Sequence, residues 1–183
     1  MGRPKALLTY REGTFLEHLM GVTRHPKIGV TRVVLGAGAQ VICEAARLDP
    51  SVVVLNEEWE KGQLSSIRAG LRSLEGLDVD GIVLCPVDHP LVSAHLVNEL
   101  VDRFYESGKA IVLPTHNARR GHPAIFSKAL FAELTAAPNE KGARAVVWEH
   151  SGDILEVPTE EEGVILNLND PDMIKRVMGS DLK

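Results

Sequence analysis

The chain is predicted to fold as an α/β domain, a doubly wound and mostly parallel sheet with helices on both faces. Short apolar runs alternate with amphipathic stretches through its first two thirds. The runs are continuous rather than alternating, the pattern of strands covered on both faces. The most apolar of them, Gly81 to Val87, halts at Asp88, and Pro90 prevents any continuation of its ladder.

The elements follow in order. Pro4 stiffens the opening and holds Arg3 and Lys5 extended. Thr14 is placed to cap a helix in which Phe15, Leu19 and Val22 recur at helical spacing. Val33, Val34 and Leu35 form a strand ended by Gly36 and Gly38, and residues 40–48 form a helix stopped by Asp49 and Pro50. Residues 51–55 are a valine-rich strand, and residues 63–74 a helix with Leu64, Ile67, Leu71 and Leu74 on one stripe. The first turn of that helix holds Gly62, Gln63, Ser65 and Ser66, which serve equally as plain caps or as an anion or ribose site. After the central strand come a helix at 93–107 with Gly108 as its stop, and a strand at 110–113 closed by Pro114.

The second half is less regular. Residues 118–123 form a basic loop, 124–126 an apolar run and 128–134 a helix, with another helix opening at 141–144. Strands are expected at 154–157 and 164–168, separated by an acidic triplet, Glu160 to Glu162, that reads as a solvated tip. Pro171 suits the first residue of a closing helix.

With 183 residues, 44% hydrophobic and 25% charged, and no repeat or linker, the chain reads as one domain, 1–183. A net charge of −5 with scattered Lys and Arg argues against nucleic acid or an anionic membrane as partner and leaves room for a small anion. Cys85 lies within the apolar strand, as a buried and inert thiol would, and Cys43 is the only other cysteine. Unpaired cysteines without a signal peptide or long apolar span point to the cytoplasm.

Asp88 stands where open α/β sheets collect their ligands. A carboxylate there suits a hard cation such as Mg²⁺, and it suits a cap for the following helix just as well.

Several phrases taken together resemble the MobA-like NTP transferases, and within them the molybdenum cofactor cytidylyltransferase branch. They are Met-Gly-Arg-Pro-Lys-Ala-Leu-Leu (1–8), Thr-Phe-Leu-Glu-His (14–18), Gly-Gln-Leu-Ser-Ser-Ile-Arg-Ala-Gly-Leu (62–71) and Val-Asp-His-Pro-Leu-Val (87–92). Gly-His-Pro-Ala-Ile-Phe (121–126), Gly-Ala-Arg-Ala (142–145) and Asn-Leu-Asn-Asp-Pro-Asp (167–172) continue the match in order. The resemblance implies Mg²⁺-dependent transfer of a nucleoside monophosphate, CTP being the favoured donor, onto a phosphorylated acceptor such as molybdopterin. It implies a molybdoenzyme as a further partner. Arg3 and Lys5 would meet the triphosphate, Asp88 and Asn169 would hold the metal, and Ser65 and Ser66 would lie near the base and ribose. Arg120 and His122 would face the acceptor, while His89 receives no chemistry. Other readings are a sugar 1-phosphate or guanylyl acceptor reaction, or an inactive acceptor-binding chaperone.

The family pattern opens with a strand and a glycine-rich phosphate loop ahead of Met-Gly-x-Pro-Lys, and this sequence starts at that Met. The fold is therefore expected to lack its first strand, and the native product to be longer.

Overall fold

The computed structural model describes residues 4–169 and Ile174. Local chemistry sets its first elements. A hairpin of β1 (Thr9–Tyr10) and β2 (Gly13–Thr14) leads into α1 (Phe15–Val22). The Thr14 hydroxyl accepts from Glu17 N at 3.2 Å, and the Glu17 carboxylate accepts from Thr14 N at 2.8 Å. This reciprocal cap satisfies amides that the first turn leaves open, and Phe15, Leu16, Leu19 and Val22 turn inward behind it.

Then follow β3 (Val33–Leu35), α2 (Ala39–Ala46), β4 (Val53–Leu55), α3 (Gln63–Arg72), β5 (Gly81–Leu84), α4 (Ala94–Ser107) and β6 (Ile111–His116). The chain continues through β7 (Arg119–Arg120), β8 (Ala124–Ser127), α5 (Phe131–Ala136), α6 (Arg144–Glu149) and β9 (Ile154–Pro158). Strands β3 and β4 pair in parallel as a two-stranded unit. A five-stranded sheet runs β5-β8-β6-β7, with β9 also on β6. Helix α3 packs on both units: Gly70 meets Val34 of β3, while Leu64, Ile67 and Leu71 pack beneath Ile82 and Leu84 of β5.

The α/β class is as expected, but the larger sheet is mixed rather than mostly parallel. Strand β8 runs antiparallel to both β5 and β6, and only β9 joins β6 in parallel. The reason is connection length. The few residues from His116 through β7 to Ala124 make a hairpin return, whereas a parallel partner needs a crossover of a dozen residues or more.

Three expectations change locally. The strand expected to be central stops at Leu84 rather than Val87, stands at the end of the five-stranded order with β8 as its one neighbour among the described residues, and is half-buried rather than fully covered. The run 164–168 is no strand: a 3₁₀ turn, Glu162–Ile165, leads into extended chain. The helix expected at 128–134 splits into a 3₁₀ turn, Lys128–Leu130, followed by α5. The helix expected from Pro171 lies outside the described residues. Among the described residues, no helix is long and apolar enough to cross a membrane.

Candidate active site

Asp88 follows the carboxyl end of β5, within a turn in which His89 N donates to Pro86 O at 3.1 Å. The Asp88 carbonyl accepts from Leu168 N at 2.7 Å, which brings Asn169 alongside. The Asn169 side-chain oxygen accepts from Lys5 Nζ, 164 positions away in sequence. Lys5 opens a 3₁₀ turn whose next residues, Ala6 and Leu7, are buried with Val33 and Leu35 of β3. Three of the residues marked in the sequence are thus drawn together from the start, middle and end of the chain.

His89 and His122 stand beside Asp88 with ring centroids 4.7 Å apart and planes tilted by 55°. Burial first, and then the neighbouring His89, push the His122 imidazole down to about 4, with the Asp88 charge working against both. His89 is lowered for the same leading reason, burial, again against Asp88. Both Nδ1 atoms are buried without a hydrogen-bond partner, as is Asn167 Oδ1; these are three of the four such side-chain atoms among the described residues. Buried polar atoms of this kind take a partner from outside the chain, such as water, an ion or a ligand, or serve a role in chemistry.

The Asp88 carboxylate and the Asn169 amide oxygen are the hard oxygen donors that a divalent cation takes, and in this structure the amide oxygen receives the Lys5 ammonium. Among the described residues no group of three or more His, Cys, Asp or Glu could cage a metal. Such a pair suits a cation that takes its other ligands from water and phosphate oxygens, as Mg²⁺ does.

Other marked residues are placed differently. Ser65 is 2% exposed; its hydroxyl donates to Gly62 O at 2.8 Å and accepts from Asn56 Nδ2 at 2.8 Å. Its hydroxyl is thus engaged within the protein at the start of α3. Ser66 is half-buried and accepts from the same amide at 3.0 Å. Arg120 is exposed and donates through Nε to Glu156 Oε1 of β9 at 2.7 Å. Arg3 lies outside the described residues.

Asn56, which drew no attention in the sequence, organises this end of α3. It is 3% exposed at the tip of β4; besides holding both serines, its side-chain oxygen accepts from Glu58 N at 3.0 Å. The only sequence signal is an amide directly after a valine-rich run. Asn56→Ala removes the amide that donates to Ser65 and Ser66 and the oxygen that accepts from Glu58 N. It is expected to cost about 1–3 kcal/mol, read by urea unfolding.

The model of the MobA-like NTP transferase domain matches residues 1–154. The chain belongs to the MobA-like NTP transferase family. This MobA-like chain is 29% identical to the nicotine blue oxidoreductase of Paenarthrobacter nicotinovorans over 172 residues, 89% of this chain and 83% of that protein. It is 27% identical to a molybdenum cofactor guanylyltransferase of Cereibacter sphaeroides over 150 residues, 78% and 76% of the two chains. Among solved structures, Rv0371c from Mycobacterium tuberculosis H37Rv superposes with a TM-score of 0.78 at 30% identity, covering 98% of this chain and 91% of that one. The same protein has been solved in complex with manganese, with a TM-score of 0.73, 30% identity and coverage of 98% and 94%.

The buried imidazoles give the MobA-like chain a pH signature. The His122 pKa falls from 6.5 to about 4 on folding, so between these values the unfolded chain binds a proton that the native chain refuses. This contribution to stability is complete above pH 6.5 and is lost as pH falls toward 4. Urea unfolding across that window should show a loss of up to about 3 kcal/mol, and His122→Gln should flatten it.

Proposed function

We propose that this protein transfers a nucleoside monophosphate from a nucleoside triphosphate to a phosphorylated acceptor, releasing pyrophosphate. An acceptor phosphate oxygen attacks the α-phosphorus, and the bond from that phosphorus to the bridging oxygen of the pyrophosphate breaks in line. The reaction asks for positioning and charge neutralisation rather than a covalent protein intermediate. The observation that carries the reading is the convergence of Lys5, Asp88 and Asn169 just past the carboxyl end of β5.

Asp88 and Asn169 would hold a divalent cation, with Mg²⁺ the favoured ion. When bound, it would neutralise phosphate charge as the pyrophosphate leaves. Lys5 would release Asn169 and bind the leaving phosphates. His122 would line the acceptor side. CTP is the donor favoured by the resemblance to the cytidylyltransferase branch, and GTP is its rival because a guanylyltransferase is among the relatives. Molybdopterin is the favoured acceptor.

The test incubates the protein with molybdopterin, Mg²⁺ or Mn²⁺, and each nucleoside triphosphate in turn, following pyrophosphate and the dinucleotide product by mass spectrometry. A parallel arm follows oxidation of NADH and NADPH with nicotine blue. Dinucleotide formation supports the reading. Reduced-nicotinamide oxidation without dinucleotide, or acceptor binding without turnover, overturns it. Lys5→Ala should lower dinucleotide formation by about 10²-fold, the scale of removing one group that stabilises developing charge.

A further inference from the structure

The acidic triplet expected to be a solvated tip divides in the structure. Glu160 and Glu162 are exposed, but Glu161 turns its carboxylate onto the amino end of α4. It accepts from Ser93 N at 2.9 Å and from Ser93 Oγ, while Ser93 Oγ accepts from Leu96 N at 3.1 Å. One carboxylate and one hydroxyl therefore close the first turn of the helix, where negative charge is favoured.

The chain beyond Glu161 is tied down at successive points. Gly163 presses so closely on Leu91 that a Cβ there would overlap the Leu91 carbonyl oxygen. Val164 is 0% exposed, and its carbonyl accepts from His122 N at 2.8 Å. A Cβ on Gly121 would stand 2.5 Å from that same carbonyl oxygen, so the two backbones touch. Leu168 N then reaches Asp88 O at 2.7 Å, and Asn169 meets Lys5. No strand ladder supports 161–169, so these separate attachments fix its path.

We propose that residues 161–169 are a strap, latched by Glu161 on Ser93, that sets where His122 and Asn169 stand relative to Asp88. Glu161 is a positioning residue: it works through the strap and touches neither substrate nor metal. The latch matters because charge-assisted hydrogen bonds are roughly twice as strong as neutral ones. A segment held by few bonds also opens locally when one is lost. The metal part of this proposal rests on the nucleotidyl-transfer reading; the geometric part does not.

The test uses Glu161→Ala, Glu161→Gln and Gly163→Ala, with Mn²⁺ as probe and thermal melts to fix a temperature at which each variant is folded. Electron paramagnetic resonance titration should show Glu161→Ala weakening Mn²⁺ binding by about tenfold, the usual lower scale for groups that orient metal ligands. Glu161→Gln keeps one acceptor oxygen and should fall between. Gly163→Ala should weaken binding although the latch is intact, because the added methyl lifts the strap. Glu161→Ala combined with Asn169→Ala should bind no more weakly than Asn169→Ala alone, since both act through one ligand. Without any metal, the ring signals of His122 should move in Glu161→Ala, while those of His150, held by Glu133, stay in place.

If Glu161→Ala does not fold, Glu161→Gln and Gly163→Ala decide the matter by the same readouts. Wild-type Mn²⁺ affinity and unmoved His122 signals in the folded variants overturn the strap. A wild-type protein that ignores Mn²⁺, with His122 signals that still move, upholds the strap and overturns the metal reading.

Discussion

Asp88→Asn is expected to lower nucleotidyl transfer by about 10²- to 10³-fold while leaving the fold intact. The substitution keeps the size of the side chain and the backbone carbonyl that accepts from Leu168 N, so Asn169 stays where it is. What it removes is the negative charge. The two imidazoles should remain neutral, because burial lowers both and removing the Asp88 charge takes away an influence that raises them. The loss should therefore trace to cation binding alone. Steady-state kinetics across a range of Mn²⁺ concentrations checks this: the variant should need far more metal, with its melting temperature close to that of the wild type. A loss of less than about tenfold at every metal concentration would remove Asp88 from the chemistry.

Phe126→Ala has the largest expected effect on stability. Phe126 is 2% exposed and lies in β8 opposite Ile82 of β5 on one side and Ile111 of β6 on the other. Its ring packs in the cluster that includes Leu64, Ile67 and Leu71 of α3 and Leu130 and Leu134 near α5. Gly81 also needs this tight seam, since a Cβ there would stand 2.5 Å from Phe126 O. Removing the ring leaves a cavity that strands on either side are too constrained to close. The expected cost is about 3–5 kcal/mol, a large share of the roughly 5–15 kcal/mol that holds a domain together. At roughly 2–4 °C per kcal/mol for a chain of this size, calorimetry should show a fall of about 6–20 °C. A fall below about 2 °C would mean that β8 is not the seam of the core.

Much of this architecture was legible because it is local. Thr14 followed by Glu17, Ser93 ahead of α4 and the abrupt end of an apolar run at Asp88 each state their role within a few residues. Gly108 does the same at the end of α4, taking the left-handed conformation with φ 65°. Strand direction was not legible, because a short apolar run looks the same whichever way it points; the tight return through β7 decides it. The run at 164–168 has the composition of a strand, yet its backbone bonds go to His122 and Asp88 rather than to a ladder.

The site divides in the same way. Asp88 was marked by the abrupt end of its apolar run, Lys5 and Asn169 by resemblance, and their meeting depends on contacts across the whole chain. The partners of Arg120 and Glu161 were not legible because a charge reveals nothing of its partner: Glu156 lies 36 positions from Arg120, and Glu161 lies 68 from Ser93. Asn56 was missed because a buried amide that organises serines looks in sequence like any polar residue after a strand.

The most direct measurement is a crystal of the protein with CTP and Mn²⁺, with diffraction recorded at the manganese absorption edge. An anomalous peak coordinated by the Asp88 carboxylate and the Asn169 amide oxygen, with Lys5 turned onto the phosphates, is the expected result. Manganese bound elsewhere, or a nucleotide seated away from the tip of β5, would contradict it.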